Sequence, residues 1–318
     1  MVGGERQQWS LGALAVSIPP VVHRPWGPRV LAVLHPVFAV LGVALLAMLV
    51  QHAGAEELGR VLSRAAPWWP LVLLLEVVRL SLDVVATWVA YGRRAREVPW
   101  PCMLRAQLIS TAVSSVAPAG RISGEATKAA LLGPYTGGAT ALAAAATSQA
   151  ASLVSGGLLC LPCAFAAYLR TGASWLTLAL GVHALVLLLM GLGMHAGMNG
   201  RALPPVRPLV ATLLGRALQV VQYGLLALAV GIDTTAVEAL LAQGLHLLSL
   251  AAGALVPGQF GVREGAFALS AEAFGTTPAL AMSIALLAHG TQALFVLLGS
   301  LTPLVWKVHS PSWAPHAR

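Results

Sequence analysis

Apolar residues occur along this chain in long runs, separated by shorter segments that hold most of the charges. A helix of about 20 residues crosses a hydrocarbon core of roughly 30 Å. The alternating ten-residue pattern of a membrane barrel is absent, and an open sheet would leave its backbone polar groups unsatisfied in lipid. The pattern therefore predicts an all-α integral membrane protein. Its six predicted spans are Val30–Val50, Pro67–Tyr91, Ala139–Leu169, Ser174–Met194, Leu209–Val230 and Pro278–Trp306.

Two further apolar stretches, Met103–Leu132 and Ala236–Phe274, are broken in the middle by proline and glycine. Each reads as two short half-helices that meet at a turn. Irregular backbone at membrane depth is tolerated only where protein or a water-filled cavity covers it, so such breaks mark candidate binding sites. We therefore predict two re-entrant pairs of half-helices beside the six full spans.

Composition agrees with a lipid environment: 58% of the 318 residues are hydrophobic and 9% are charged, and the mean hydropathy is +0.79. Lysine and arginine are concentrated before the first span and after the second, which predicts cytoplasmic N- and C-termini in a cytoplasmic (inner) membrane. The net charge of +8 is explained by this topology and by anionic headgroups, and no nucleic-acid-binding module is present. We predict an N-terminal cytoplasmic or interfacial tail (1–29), one membrane domain (30–306) and a cytoplasmic tail (307–318).

The two breaks resemble each other. Residues 118–125 read PAGRISGE and residues 257–264 read PGQFGVRE, so that a proline and a glutamate recur 139 positions apart. The span before each break carries one arginine, Arg79 or Arg216. Together these matches predict two repeats, about 67–169 and 207–306, which the predicted topology places in opposite orientations. Inverted repeats of this kind give transporters access to both faces of the membrane.

The charged residues near the breaks are candidates for binding a substrate headgroup. A charge at the membrane centre costs about 2.5–3.5 kcal/mol on insertion scales, so it must face protein or water and find a partner. Cations beside glycine-rich helix ends offer a phosphate both exposed N–H groups and charged donors. The candidate substrate-binding residues are Arg79, Arg121, Glu125, Lys128, Arg216, Arg263 and Glu264, and the residues expected to shape the loops are Pro118, Gly120, Gly124, Pro257, Gly258 and Gly261.

Structural roles for the same charges remain open alternatives. Glu76, Arg79 and Asp83 share one helix face and would pair as structural glue. Arg263 and Glu264 would bridge each other across the repeat interface and only hold the second break. Glutamates at both breaks would alternatively take up protons or bind a cation.

The motifs resemble those of the flippase-like membrane domain of lysylphosphatidylglycerol synthases and their stand-alone relatives, including members associated with hopanoid synthesis. The family's Pro-Gly-Gly-x-Gly-x-x-Glu signature is matched by Pro257, Gly258, Gly261, Arg263 and Glu264, and its earlier Pro-x-x-x-x-Gly-(Gly/x)-(Glu/Asp) element is matched by Pro118, Gly124 and Glu125. Gln259 and Ser123 stand where the family commonly has glycine. The resemblance covers roughly residues 30–306.

The resemblance implies translocation of a lipid between leaflets and no enzymatic activity. The cytosolic transferase of bifunctional members is absent from this sequence, so phospholipids, polyprenyl phosphates and hopanoids all remain candidate substrates. The alternatives are a membrane scaffold for lipid-biosynthesis enzymes, which would then be partners, and a membrane enzyme that acts on lipid headgroups. No nucleophile or metal triad that such an enzyme needs is evident.

One cysteine pair suggests a different chemistry. Cys160 and Cys163 have the spacing of a redox pair, but Cys102 is the only other cysteine, and no relay to a partner is evident. Buried apolar thiols are the alternative. The histidines do not repeat at metal-ligand spacing, so we expect no metal and no cofactor; His246 and His289 flank the second break as candidate proton relays.

Overall fold

Helices form the framework of the protein. A computed structural model describes residues 27–117, 120–199 and 203–306, and no strand occurs among these residues. The helices are α1 (Gly27–Ala53), α2 (Ala55–Ala65), α3 (Trp69–Ala90), α4 (Trp100–Val116), α5 (Arg121–Thr136), α6 (Gly138–Thr171), α7 (Trp175–Asn199), α8 (Val206–Ala229), α9 (Ala236–Ala252), α10 (Val262–Leu269) and α11 (Pro278–Val305), with short 3₁₀ turns between some of them. The all-α prediction is confirmed.

Four helices in the described part of the chain are long and apolar enough to cross a membrane: α6, α7, α8 and α11. A fifth span results if α1 and the helices after it count as one broken span, bent by 93°. The prediction of six separate spans is therefore not confirmed. The difference lies at the N-terminal side, where α3 carries three charged residues and α1 meets its neighbours at a sharp bend.

The bend contains a short helix that the apolar pattern did not predict. In α2, Leu58, Val61 and Ala65 are buried, whereas the charged side chains Glu56, Glu57, Arg60 and Arg64 are exposed. One apolar and one charged face are typical of a helix that lies along a membrane interface.

Both predicted breaks interrupt a helix. The first break separates α4 from α5 around residues 117–120, and the second separates α9 from α10, with a 3₁₀ turn at Pro257–Gln259 between them. At each break, the two helices pack against each other. Ala117 and Gly120 beside the first break and Pro257, Gly258 and Gln259 in the second border one cavity.

Contacts between helices follow the same scheme in both parts of the chain. Helix α4 packs on α5 and α11, α9 packs on α10 and α6, and α3 and α8 pack on each other. Helix α5 contacts α6 just as α10 contacts α11. Each contact within α3–α6 thus has a counterpart within α8–α11.

The interior of the bundle is packed through small residues. Helix α6 is buried along most of its length, and a Cβ at Gly157 would lie 2.9 Å from the carbonyl oxygen of Ala184 in α7. On α7, a Cβ at Gly191 would lie 3.0 Å from the carbonyl oxygen of Ala150. Close backbone contact between α6 and α7 therefore requires glycine from both helices, as is usual in lipid.

Candidate functional site

A cavity of about 640 Å³ lies in the interior of the bundle. Residues of α3–α9 and α11 line it, together with the tips of both breaks and Arg263 of α10. The apolar part of the lining includes Leu187, Met190 and Met194 of α7. Most of the charged residues predicted as candidates line the same cavity.

Arg79 on α3 is held by two carboxylates. Its Nη2 and Nε donate to the carboxylate oxygens of Glu76 at 2.5 and 2.9 Å, and its Nη1 donates to Asp83 Oδ2 at 2.9 Å. From α8, the amide of Gln222 donates to Glu76 at 3.3 Å. All three charged residues line the cavity. They also pair with one another on one helix face, which is the structural alternative considered for them.

The first break is also rich in ion pairs. Arg121, at the start of α5, lies 3.5 Å from Asp83 Oδ1 and 4.0 Å from Glu125 Oε1. Lys128 donates to the same Glu125 oxygen at 3.0 Å and to Thr87 Oγ1 at 3.1 Å. Arg121 and Glu125 line the cavity, whereas Lys128 is absent from its lining. The buried Lys128 therefore neutralises Glu125 from behind the cavity wall, and the structure does not place it as a direct substrate contact.

Glycine is required at two positions of the first break. Gly120, immediately before α5, has a φ of 46°, a region that other residues seldom adopt. A Cβ at Gly124 would lie 1.9 Å from Ser114 Oγ and 2.8 Å from the carbonyl oxygen of Ser110, so this glycine permits the close approach of α5 to α4. Pro118 lies outside the described residues.

Three of four consecutive residues in the second break, positions 258–261, have positive φ. Gly258, Gln259 and Gly261 have φ values of 63°, 59° and 76°. Pro257 starts the 3₁₀ turn that contains the first two of them. Gln259 occupies a position where the resembling family commonly has glycine. It is the single non-glycine residue with positive φ in the described chain, and such a conformation costs roughly 1–2 kcal/mol.

Helix α1 covers this break through a contact that sequence reasoning missed. A Cβ at Gly261 would lie 2.6 Å from the carbonyl oxygen of Gly42, and a Cβ at Gly42 would lie 2.7 Å from the carbonyl oxygen of Phe260. The two backbones therefore touch. In the sequence, the signal for this contact was Gly42, a glycine inside an apolar run, and it does not identify the residue that it contacts.

Arg263 on α10 is 1% exposed and lines the cavity. Its Nη2 donates to Gln259 Oε1 at 2.8 Å and its Nη1 donates to Gln292 Oε1 at 3.2 Å. Its buried Nε has no hydrogen-bond partner. Among the described residues, no carboxylate forms an ion pair with it.

Glu264 takes a different role from its neighbour. Its Oε2 accepts a hydrogen bond from the backbone N–H of Gly261 at 2.9 Å, and its Oε1 contacts Nδ1 of His289. The side chain is fully buried and is not part of the cavity lining. Arg263 and Glu264 thus have separate partners, and the structure does not contain the bridge between them that was the structural alternative.

Arg216 on α8 resembles Arg263 in its surroundings. It donates to Gln219 Oε1 at 3.1 Å and to Ser152 Oγ at 3.3 Å, and it too makes no ion pair with any carboxylate that the structure describes. Both arginines face the cavity. Their amide and hydroxyl partners orient the guanidinium groups without neutralising them.

Sequence reasoning also missed a set of amides. Glutamine side chains from α4, α6, α8, the second break and α11 line the cavity. Several of them form hydrogen bonds with the charged residues. The signal was available, because an uncharged polar side chain in an apolar helix is costly unless it is satisfied. These residues are Gln107, Gln149, Gln219, Gln222, Gln259 and Gln292.

The cysteines and histidines give no second site. Cys160 and Cys163 are free thiols, fully buried in an apolar cluster. In the described ranges, no group of three or more His, Cys, Asp or Glu side chains is arranged to hold a metal. His246 lines the cavity and packs against the ring of Tyr223 at 5.1 Å.

Comparison with known protein families identifies the architecture. The family model for the lysylphosphatidylglycerol synthase TM region matches residues 32–198 and 197–299. The chain belongs to this family. Searches of curated proteins and of solved structures returned no match. Family membership agrees with the resemblance carried by the two break motifs, and it supports a multi-pass membrane protein with a lipid-related role.

Proposed function

We propose that the protein moves a membrane lipid between leaflets, with the lipid headgroup bound in the cavity between the two breaks. The observation that carries the proposal is the joint lining of one cavity by both breaks and by four arginines, Arg79, Arg121, Arg216 and Arg263. A volume of about 640 Å³ lies within the usual range for ligand pockets of roughly 300–1,000 Å³.

The lining fits one end of a lipid better than a whole lipid. The lining combines charged and amide groups with apolar side chains such as Leu187, Met190 and Met194. A headgroup would find its hydrogen bonds with the polar groups, and the acyl chains would stay against apolar surface. This division avoids the cost of moving a charged headgroup through hydrocarbon.

The matching helix contacts of α3–α6 and α8–α11 support a repeat, and the topology predicted from the lysine and arginine distribution makes it an inverted one. In such transporters, two related halves expose one central site to opposite faces in turn. The proposal places both termini in the cytoplasm, as the distribution of lysine and arginine predicts. It assigns no chemical step to the protein and no cofactor.

The proposal is tested by filling the cavity without changing its charges. Ser115 lines the cavity, and its Oγ donates to the carbonyl oxygen of Thr111. We expect Ser115→Trp in liposomes to abolish the protein-dependent flip of a fluorescent phospholipid, measured by dithionite quenching. Ser115→Ala removes the same hydroxyl without adding volume and should retain most of the activity.

A matched tryptophan elsewhere controls for the added bulk. Val210 on α8 is 48% exposed and is not part of the cavity lining, so Val210→Trp should leave the flip rate unchanged. Equal flip by Ser115→Trp and the unmodified protein, with both folded, would reject the proposal and favour a scaffold for lipid-biosynthesis enzymes.

A further inference from the structure

The charge of the cavity points to the class of lipid. We infer that the site selects a headgroup with net negative charge, a phosphate monoester or diester, over a zwitterionic, neutral or cationic aminoacylated headgroup. This inference rests on the proposed function and specifies its substrate.

The count of charges that line the cavity favours an anion. Four arginines face three carboxylates, those of Glu76, Asp83 and Glu125. Behind this lining lie one further cation, Lys128, and one further carboxylate, Glu264. An excess positive charge at membrane depth is costly unless an anion balances it. Because the excess faces a cavity, a bound ligand is the group placed to balance it.

The excess is localised on two side chains. Arg79 and Arg121 have carboxylate partners, whereas Arg216 and Arg263 have only amide and hydroxyl partners. Arg263 is also 1% exposed and keeps its buried Nε without a partner. A guanidinium with an unused N–H is suited to a phosphate oxygen, since arginine binds phosphate through several donors in one plane.

The carboxylates of the cavity are poorly placed to hold an ammonium group. Glu76 and Asp83 already accept from Arg79, and Glu125 accepts from Lys128. An aminoacylated or ethanolamine headgroup would bring a further cation next to these pairs. Of these carboxylates, Glu125 alone keeps a buried oxygen, Oε2, without a hydrogen-bond partner, and Arg121 and Lys128 already lie beside that carboxylate. A further cation there would add to the positive excess, which disfavours its binding.

Lipid binding to the purified full chain tests this inference directly. Native mass spectrometry and thermal-shift titrations would compare lipids with the same acyl chains: phosphatidic acid, phosphatidylglycerol, phosphatidylethanolamine and lysylphosphatidylglycerol, with a neutral hopanoid as a further probe. We expect the first two to bind at least about tenfold more tightly than the others. Equal binding of all five, or preference for the lysylated lipid, would overturn the inference.

Charge-removing variants locate the selectivity. Arg216→Gln and Arg263→Gln should each reduce the preference for phosphatidylglycerol over phosphatidylethanolamine by about tenfold. Arg207 is exposed at the start of α8, so Arg207→Gln controls for anionic lipid bound at the outer surface. An equal loss in Arg207→Gln would assign the preference to that surface and overturn the inference.

Inorganic phosphate separates a lipid site from a simple anion site. We expect inorganic phosphate to compete only weakly, because the apolar part of the cavity lining contributes to lipid binding. Full stabilisation by inorganic phosphate, with no further shift on adding lipid, would reject the lipid assignment. Failure of the proposed function gives a different result. Selective binding of anionic lipid without flip would reject transport and keep the selectivity, whereas flip without a preference for charge would reject the selectivity and keep transport.

Discussion

The contact between α1 and the second break predicts a large and specific effect of one added methyl group. Gly261 has a φ of 76°, and a Cβ there would lie 2.6 Å from the carbonyl oxygen of Gly42 and 3.0 Å from Leu45 Cβ. An alanine in this backbone conformation costs roughly 1–2 kcal/mol. Overlap with a neighbouring backbone adds about 1–3 kcal/mol, so Gly261→Ala should lower the free energy of unfolding by about 2–5 kcal/mol.

Gly275 provides a matched control for the backbone term. Its φ is 63°, and no atom lies within 4 Å of a Cβ built there. Gly275→Ala should therefore cost only the conformational part, about 1–2 kcal/mol. The assay is reversible unfolding in mixed micelles by sodium dodecyl sulfate, followed by tryptophan fluorescence and circular dichroism.

A double-mutant cycle attributes the effect to the contact itself. Gly42→Ala would meet the carbonyl oxygen of Phe260 at 2.7 Å, and a shift of α1 that relieves one overlap relieves the other as well. The two substitutions should therefore be non-additive by about 0.5–3 kcal/mol. Strict additivity, or a loss in Gly261→Ala no greater than in Gly275→Ala, would refute the reasoning that the two backbones are in contact.

Two further substitutions test the polar part of the cavity lining. Arg79→Gln leaves the carboxylates of Glu76 and Asp83 without their shared cation, which should destabilise the fold by about 3–5 kcal/mol; size-exclusion chromatography should show aggregation, and adding Glu76→Gln with Asp83→Asn should restore a folded peak. Gln259→Gly relieves the strained backbone but removes the acceptor of Arg263, so unfolding should change by only about 1 kcal/mol while the preference for phosphatidylglycerol falls. Unchanged lipid preference would show that Gln259 does not position the arginine.

The apolar pattern predicts several helices to within a few residues. The predicted span Ala139–Leu169 corresponds to α6 at Gly138–Thr171, and Pro278–Trp306 corresponds to α11 at Pro278–Val305. Both ends of α6 lie beside glycines with positive φ, and α11 begins after a threonine cap. These boundaries are encoded locally, so a single sequence contains them.

What the sequence did not predict depends on contacts between distant residues. The hydrogen bond from Arg263 to Gln292 joins positions 29 apart, and the contact of Gly42 with Gly261 joins α1 to α10. Gln259 lies four residues before Arg263 and was therefore a possible partner, but the adjacent Glu264 was the more obvious partner. The structure assigns that glutamate to His289 instead.

The two halves share their glutamates but not their cations. Glu125 and Glu264 lie 139 positions apart and both are buried in the first turns after a break. Glu264 accepts from the N–H of Gly261, the N-cap residue of its helix, where a negative charge is favourable, and Glu125 accepts from Lys128. The shared glutamate therefore caps the helix after the second break, whereas at the first break it belongs to a group of ion pairs.

The cations lie at non-equivalent positions. A shift of 139 residues places Phe260 opposite Arg121 and Gly124 opposite Arg263. The first break consequently has its arginine in an ion pair, and the second has an arginine held by amides alone. Because the motif shapes the breaks while these arginines set the charge of the cavity, a relative with the same motif and different arginines should retain the fold and prefer a different headgroup.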